Sequence, residues 1–566
     1  MPVVSVPEDF VWGINGHIGY GNHYEYPDYK WNGSFQLQKD LILEHQIDFY
    51  RINVRTDSNG ELTYSSSNNT LHNTPFETIL QLSERHDFQL LVILEFNINY
   101  DKVTLTQAYN LGYQKANGFV SNYGNRVNYY VLGNELDRSV TRINPITGNI
   151  YDGDLLSHYD VAKFNKLAAY FRGMIDGIKS VNPNAHTVIN NSGWKRWGFY
   201  ELLESALPSI NYDIVGLHWY SNMSTLPNEQ DTEFPYRIKN GNMEDVPEKI
   251  HGITNKPIWI TEINRGEGTY NGSEQLQSFW INKFIDDLNE RHYVKGFFVY
   301  ELFDETNLSG GESKYGIIKW NVPQTSNGYD YKLASKTYKF KIEETKFGYE
   351  DYIYALYRYV NLRPVPINDP NGINYWTNEF KNLNDLPDLL DLFMPVESYK
   401  HFIESLYNHL LDRESDSVGL NYWHNEMKNG VSREEVISKF CASQQFWELS
   451  GNNYKGFLER LYDKLHNRTI EPSAYNYFYN KLMNGVSKED IVLEILSSDQ
   501  YKTNFIKEQY QSLQGRQGET TGINYWLNLM NNGLSQQEVI KHFLMSKEFW
   551  IKSIKEGYVR RTGYQF

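Results

Sequence analysis

The sequence predicts an α/β chain, a (β/α)8 TIM barrel followed by an all-α repeat domain, and three observations predict it. Eight short apolar runs alternate with amphipathic stretches over the first part of the chain. Polar and charged residues gather just where those runs end, the face on which such barrels place their chemistry. From about residue 350 onward the composition changes to a helical pattern in which one aromatic motif recurs. The expected domains are 1–345 for the barrel and 350–566 for the repeat module, with units at 350–400, 401–450, 451–504 and 505–566.

The eight runs end near His17 ("FVWGINGH"), Asn53 ("IDFYRINV"), Glu95 ("FQLLVILEF"), Glu135 ("NYYVLGNE"), Asn190 ("HTVIN"), His218 ("DIVGLHWY"), Glu262 ("KPIWITE") and Tyr300 ("VKGFFVY"). Runs this short and continuous suit strands buried on both faces of a parallel sheet. Between the fourth and fifth, Val161, Phe164, Leu167, Ala168, Phe171, Met174 and Ile178 recur at three- and four-residue spacing, the stripe of a helix over 159–181.

Composition bounds the partners. A net charge of −16 excludes an electrostatic reader of nucleic acid or of an anionic membrane. One cysteine, Cys441, rules out a disulfide framework or a multi-cysteine metal site. No stretch approaches the roughly 18 apolar residues of a membrane span. "MPVVSVPEDFVWG" lacks the layout of a signal peptide. A secreted or surface location would therefore require a leader removed beforehand, and without one the expected location is cytoplasmic.

Glu262 and Glu135 each follow an apolar run and come from different elements. Two such carboxylates are what cleavage of a glycosidic bond needs, one to give a proton and one to attack carbon or activate water. An ionised Glu262 needs donors, for which Arg51, His218 and Tyr220 are candidates. A protonated Glu135 needs a less polar setting and a nearby negative charge, which Tyr129, Tyr130, Leu132 and Glu262 offer. Metal binding is the competing use of such groups, but no His pair at ligand spacing accompanies them, so neither a metal nor a cofactor is expected. His17, Asn134, Tyr300 and Glu301 complete a polar, carboxylate-rich set at the strand ends.

With "GNE", "WITE", "LHWY", "YRINV" and "FFVYELFDE" in these places, the stretch from about Phe10 to Phe340 resembles the clan A retaining glycoside hydrolases, most closely family 39 and its bacterial exopolysaccharide-hydrolase relatives. The resemblance implies Glu135 as acid/base, Asn134 as its partner on the sugar 2-hydroxyl, and Glu262 as nucleophile. It also implies Arg51 beneath the nucleophile with His218 and Tyr220 bordering it. Tyr300 stands where many members carry Trp as the floor of the substrate site, and Trp219, Trp194 or Trp197 are the alternatives for that platform.

Long Asn-, Gly-, Ser- and Pro-rich stretches follow strands four (137–158), six (221–242) and eight (304–332). Insertions there shape a cleft and suggest endo-acting cleavage of a polysaccharide. The reading is a retaining β-glycoside hydrolase. A transglycosidase that intercepts the same covalent intermediate, and a non-catalytic carbohydrate-binding scaffold, stay open beside it.

The repeat motif is "GINYW" ending at Trp376, "GLNYW" at Trp423, "AYNYF" at Phe478 and "GINYW" at Trp526. Gly430, Gly485 and Gly533 stop one helix, and Ser432, Ser487 and Ser535 open the next with Glu435, Asp490 and Glu538 as capping-box partners. The first unit replaces this with "NLNDLPDLL", as terminal repeats do. These units resemble the bacterial domain-of-unknown-function family numbered 4214, which implies a module of secreted or surface-associated proteins, suited to cell-surface or glycan attachment. The repeated aromatics are expected to be core.

Overall fold

The computed structural model describes residues 10–17, 35–55, 75–95, 98–223, 236–239, 242–289, 291–305, 308–320, 328–360, 370–383 and 385–563. Parts of the stretches 221–242 and 304–332 read above as cleft-shaping, and most of the "MPVVSVPEDFVWG" segment, lie outside these residues. Two compact units part between Ile342 and Glu343, within the helix Leu333–Tyr359.

The first unit is a closed barrel of eight parallel strands: β1 (Val11–Gly16), β2 (Phe49–Arg55), β3 (Gln89–Glu95), β4 (Tyr129–Val131), β5 (His186–Asn191), β6 (Ile214–Tyr220), β7 (Ile258–Asn264) and β8 (Val294–Val299). They pair in chain order and β8 closes on β1. Phe49, Leu91, Ile93, Val131, Val188, Ile214, Trp259 and Phe298 fill the inside. The opposite faces of the strands pack against the helices in a separate, larger core. Strand alternation thus makes both faces apolar, and the runs read as continuous rather than alternating.

The amphipathic stretch after β4 forms the helix Val161–Lys179, capped by Asp160, whose carboxylate accepts from the amides of Ala162 and Lys163. Phe164, Leu167, Ala168, Phe171, Met174 and Ile178 are buried as expected, whereas Val161, in the first turn, is exposed. The helix lies close against Leu105–Tyr123: a Cβ on Gly173 would stand 2.0 Å from the Tyr109 carbonyl oxygen, so this contact tolerates only glycine.

Two expectations about strand ends change. β4 stops at Val131, before Glu135. Gly133 (φ 81°) and Glu135 (φ 52°) turn the chain into the short helix Asp137–Val140, so Glu135 sits on a turn rather than a strand tip. Glu262 lies inside β7, and there the register shifts against both neighbours: Leu217 faces Ile260 but His218 faces Glu262, and Phe297 faces Ile260 but Val299 faces Ile263. An extra residue at this point is a bulge, the device that re-aims one side chain without ending a strand.

The second unit is helical throughout its described residues. Gly430, Gly485 and Gly533 adopt φ of 99°, 86° and 105° just past their helices. Ser432 with Glu435 and Ser535 with Glu538 form reciprocal capping boxes. Asp490 does not complete one: its backbone amide donates to the Ser487 hydroxyl, but its shorter side chain takes the Ser487 hydroxyl instead of the Ser487 amide. Trp376, Trp423, Phe478 and Trp526 pack into the cores, but the tyrosine before each (Tyr375, Tyr422, Tyr477, Tyr525) is at least half exposed. Only one aromatic of each pair is therefore core. Repeats two and three share one core, while the first repeat packs with the last through Leu389, Phe393, Val539 and Phe543.

Candidate active site

Arg51 on β2 is the hub of the strand-end face. It is 2% exposed, which desolvates its charge and makes hydrogen-bond partners obligatory. Nη1 donates to Glu262 Oε1 at 2.8 Å and to Asn15 Oδ1 at 2.5 Å, and Nη2 donates to Asn134 Oδ1 at 2.8 Å. Asn15 is fixed in turn by donating to the backbone oxygens of Thr261 and Val299. β1, β2, β7, β8 and the β4 turn are tied together by one guanidinium and one amide.

Glu262 accepts a second hydrogen bond on Oε2 from the Tyr220 hydroxyl, 2.9 Å away. Two donors, one of them cationic, fix the orientation of the carboxylate. Tyr220, Tyr300 and Tyr315 stand around it with ring centroids 5.5 to 6.4 Å apart.

His218 lies between the two glutamates. Its Nδ1 is 2.9 Å from Glu135 Oε1 and 3.4 Å from Glu262 Oε2. Its Nε2 faces two donors, Asn190 Nδ2 at 3.0 Å and Arg51 Nη2 at 3.4 Å. That nitrogen faces donors, which leaves Nδ1 to donate to Glu135. Asn190 is oriented without ambiguity, because its Oδ1 accepts from the Glu135 amide while its Nδ2 donates to Asn134 Oδ1. Both lone-pair directions of Asn134 Oδ1 are then used, and its Nδ2 has no partner among the described residues.

Burial raises the Glu135 carboxyl, but the His218 hydrogen bond and the charges around it, including Arg138 and Arg51, outweigh burial and hold it below its ordinary value. The expected apolar setting is thus overridden. The Glu135 turn is braced from behind by Asp137, which accepts from the amide and hydroxyl of Ser192 and pairs with Arg196 at 3.2 Å. A non-glycine residue held at positive φ needs such bracing.

The flank toward β1 and β8 is acidic. His17 Nε2 is 2.9 Å from Glu301 Oε2 and 3.8 Å from Glu305. Burial and the charge of Glu305 push Glu301 up to about 8. Burial lowers His17, but the Glu301 hydrogen bond and charge outweigh it and bring it to about 9. Among the described residues, two donor sets come within 4.8 Å and could hold a cation: His17, Glu301 and Glu305, and Glu135, His218 and Glu262. In the second set His218 Nδ1 is already engaged by Glu135, a contact that ligation would displace.

Of the residues singled out in the sequence, Glu135, Glu262, Asn134, Arg51, His218 and Tyr220 form one hydrogen-bonded cluster, and His17 and Tyr300 border it. Trp219 is a correction. Its neighbours His218 and Tyr220 point into the site, so alternation turns Trp219 outward into the barrel–helix core, where it is fully buried. Trp197 is likewise core. Trp194 is half-buried, with its indole N–H donating to Asp152. Sequence reasoning missed Asn15, Tyr315 and the role of Asn190. Asn15 lies two residues before His17 on the same strand face, a signal that period-two counting would have caught; Tyr315 arrives from an irregular loop and had none.

A closed parallel barrel that brings two glutamates together at its strand-end face belongs to the (β/α)8 barrel enzymes. The family comparisons narrow this: residues 162–315 match the family described as "Glycosyl hydrolase catalytic core". The barrel is a glycoside hydrolase domain. Residues 396–449, 437–505 and 497–552 match "Domain of unknown function (DUF4214)". Neither match narrows the barrel to family 39. No curated protein matches the chain in sequence. Among solved structures, the chain is similar to a family 1 β-glucosidase from Thermotoga maritima, at 14% identity and a TM-score of 0.40 over 60% of this chain and 99% of that one. It is also similar to the virulence factor SghA from Agrobacterium tumefaciens, at 12% identity and a TM-score of 0.40 over 59% of this chain and 97% of that one. Nothing about substrate or mechanism follows from likeness at that level.

Proposed function

We propose that the barrel is a retaining β-glycosidase acting within a polysaccharide, with Glu262 as nucleophile and Glu135 as acid/base. The observation that carries this is the approach of the two carboxylates, whose nearest oxygens lie within 4.8 Å of each other. Retaining enzymes hold their carboxyl groups about 5 to 5.5 Å apart, whereas inverting ones leave about 6.5 to 9.5 Å for a water.

The environment supports the division of roles. Two carboxylates this close resist ionising together. Arg51 and Tyr220 donate to both oxygens of Glu262 and fix it as the attacking group, which leaves Glu135 to serve the leaving group. When Glu262 attacks the anomeric carbon it becomes an ester and its charge is lost. Glu135, still accepting from His218, is then a carboxylate able to take a proton from the incoming water. The uncommitted Nδ2 of Asn134 suits a sugar hydroxyl beside the nucleophile. The insertion after β4 supports endo action: its 141–159 stretch folds back on itself through the Thr141–Tyr159 and Ile143–Ile150 bridges and adds a wall to the face that carries Glu135.

Azide separates the two roles. With an activated aryl β-glycoside, Glu135→Ala should accumulate the intermediate and be rescued by azide to a β-glycosyl azide, while Glu262→Ala should yield only an α-azide. The reverse pattern would exchange the two roles, and no rescue of either would remove the pair from the mechanism.

A further inference from the structure

A cavity of about 420 Å3 is lined by residues of the helical unit. Its walls are equivalent pieces of two repeats. "FIESLYNHLL" (402–411) and "FIKEQYQSLQ" (505–514) each supply one helix face. The residue after each capping serine, Arg433 after Ser432 and Gln536 after Ser535, also lines it, with further residues from the flanking repeats such as Tyr359, Lys464 and Tyr501. Equivalent positions have diverged in chemistry. Arg433 faces the cavity where its counterpart is Gln536, and Glu508 faces it where its counterpart is Ser405.

Arg433 is the anomaly. Its guanidinium lies 3.6 Å from the centre of the Phe402 ring. Its Nε is sealed from solvent, and its side chain has no hydrogen-bond or ion-pair partner among the described residues. Desolvation lowers its pKa, but it stays charged throughout the physiological range. The neighbouring cations of the same cavity are satisfied: Lys464 pairs with Asp412 at 3.2 Å and His401 with Glu404 at 2.8 Å. The charges of Glu434 and Glu508 act on Arg433 without a hydrogen bond or ion pair to either, so a partly buried cation is kept where an apolar residue would pack at less cost.

We propose that this cavity binds a uronic acid unit of a polysaccharide, its carboxylate on Arg433 and its hydroxyls on Glu508 and the surrounding amides. The volume falls in the range of small-molecule sites. A planar guanidinium fork matches a carboxylate. Glu508 on the same wall opposes a multiply charged phosphate or sulfate but suits a ligand that carries hydroxyls beside one carboxylate. Asn504 and Gln509 add amide groups to that wall. The saccharide class is suggested by the glycoside hydrolase domain in the same chain and does not depend on which glutamate of the barrel is the nucleophile.

Titration calorimetry on the full chain tests this, with glucuronate, galacturonate and their short oligomers as probes and glucose and inorganic phosphate as comparators. At least one uronate should bind at least tenfold more tightly than glucose or phosphate. Arg433→Gln should lose at least tenfold in that affinity and Arg433→Lys less, while hydrolysis of an aryl glycoside is unchanged in both. The Gln variant should melt at the same temperature or higher, since it removes an unpaired charge. If it does not fold, the Lys variant decides on its own. Failure of every uronate to bind, equal binding by the substituted proteins, or preference for phosphate would overturn the proposal.

Discussion

Each unit encloses an arginine, Arg51 almost fully and Arg433 in part, and the two are partnered in different ways. Arg51 spends Nη1 and Nη2 on Asn15, Glu262 and Asn134, residues gathered from β1, β7 and the β4 turn. Arg433 lies over Phe402 with no hydrogen-bond or ion-pair partner among the described residues. In the barrel a buried charge is compensated by long-range construction, so its position is fixed before any substrate arrives. In the repeat module the backbone scaffold is local and repetitive, and one diverged position leaves a charge that feels Glu434 and Glu508 but is hydrogen-bonded to neither. Preorganisation of this kind is what electrostatic catalysis requires; the other arrangement awaits a ligand.

The contrast can be broken at several points, with effects of decreasing size. Glu262→Gln keeps a hydrogen-bonding side chain but cannot form an ester, and initial-rate kinetics should show kcat falling by at least about 10^4-fold. Arg51→Gln leaves a buried carboxylate without its cation. A denaturation curve should show the barrel destabilised by about 3 to 5 kcal/mol. An equal drop for Arg433→Gln would erase the difference between the units.

Acid should act on the barrel through His45. This residue is buried between the Leu41 carbonyl and the Ser335 hydroxyl, and burial lowers it to about 4. A depressed folded-state pKa means its contribution is fully present above its ordinary value of 6.5 and is lost as pH falls from there through about 4. At about 1.4 kcal/mol per pH unit, roughly 3 kcal/mol disappears over that window. Melting temperatures of His45→Gln should be flatter than those of the parent between pH 7 and pH 4.5. The smallest effect belongs to the repeat stops. Gly430→Ala and Gly533→Ala, each forced to a positive φ, should cost about 1 kcal/mol apiece in thermal denaturation. Activity measured in the same samples should be unchanged.

Much of this was legible before the structure, for physical reasons that differ by region. Strands buried on both faces are continuous apolar runs, so the barrel and the approximate position of Glu262 could be read from local pattern. The repeat caps could be read because glycine at positive φ and a serine three residues before an acid each have one use. What could not be read was set by geometry across elements. The bulge in β7 aims Glu262 at His218, and nothing in "WITEIN" announces it. The outward turn of Trp219 needed the strand's phase. The lowered Glu135 carboxyl depends on His218, which Asn190 and Arg51, residues distant in sequence, hold in place. The unpaired state of Arg433 is a property of its surroundings alone.

The same Glu135 environment sets the pH dependence of the free enzyme. Because its carboxyl is held below the ordinary range, kcat/KM should be maximal on the acid side of neutral and decline toward alkaline pH as the acid loses its proton.

The central claim is that Glu262 becomes covalently attached to sugar, and peptide mass spectrometry tests it most directly. The protein would be incubated with activated 2-deoxy-2-fluoro β-glycosides of several sugar configurations, which slow turnover of the glycosyl-enzyme, then digested and mapped. The account predicts one glycosyl adduct per chain, on Glu262, formed as activity is lost. An adduct on Glu135 instead, or turnover of a parent β-glycoside to the α-anomer with no adduct anywhere, would contradict it.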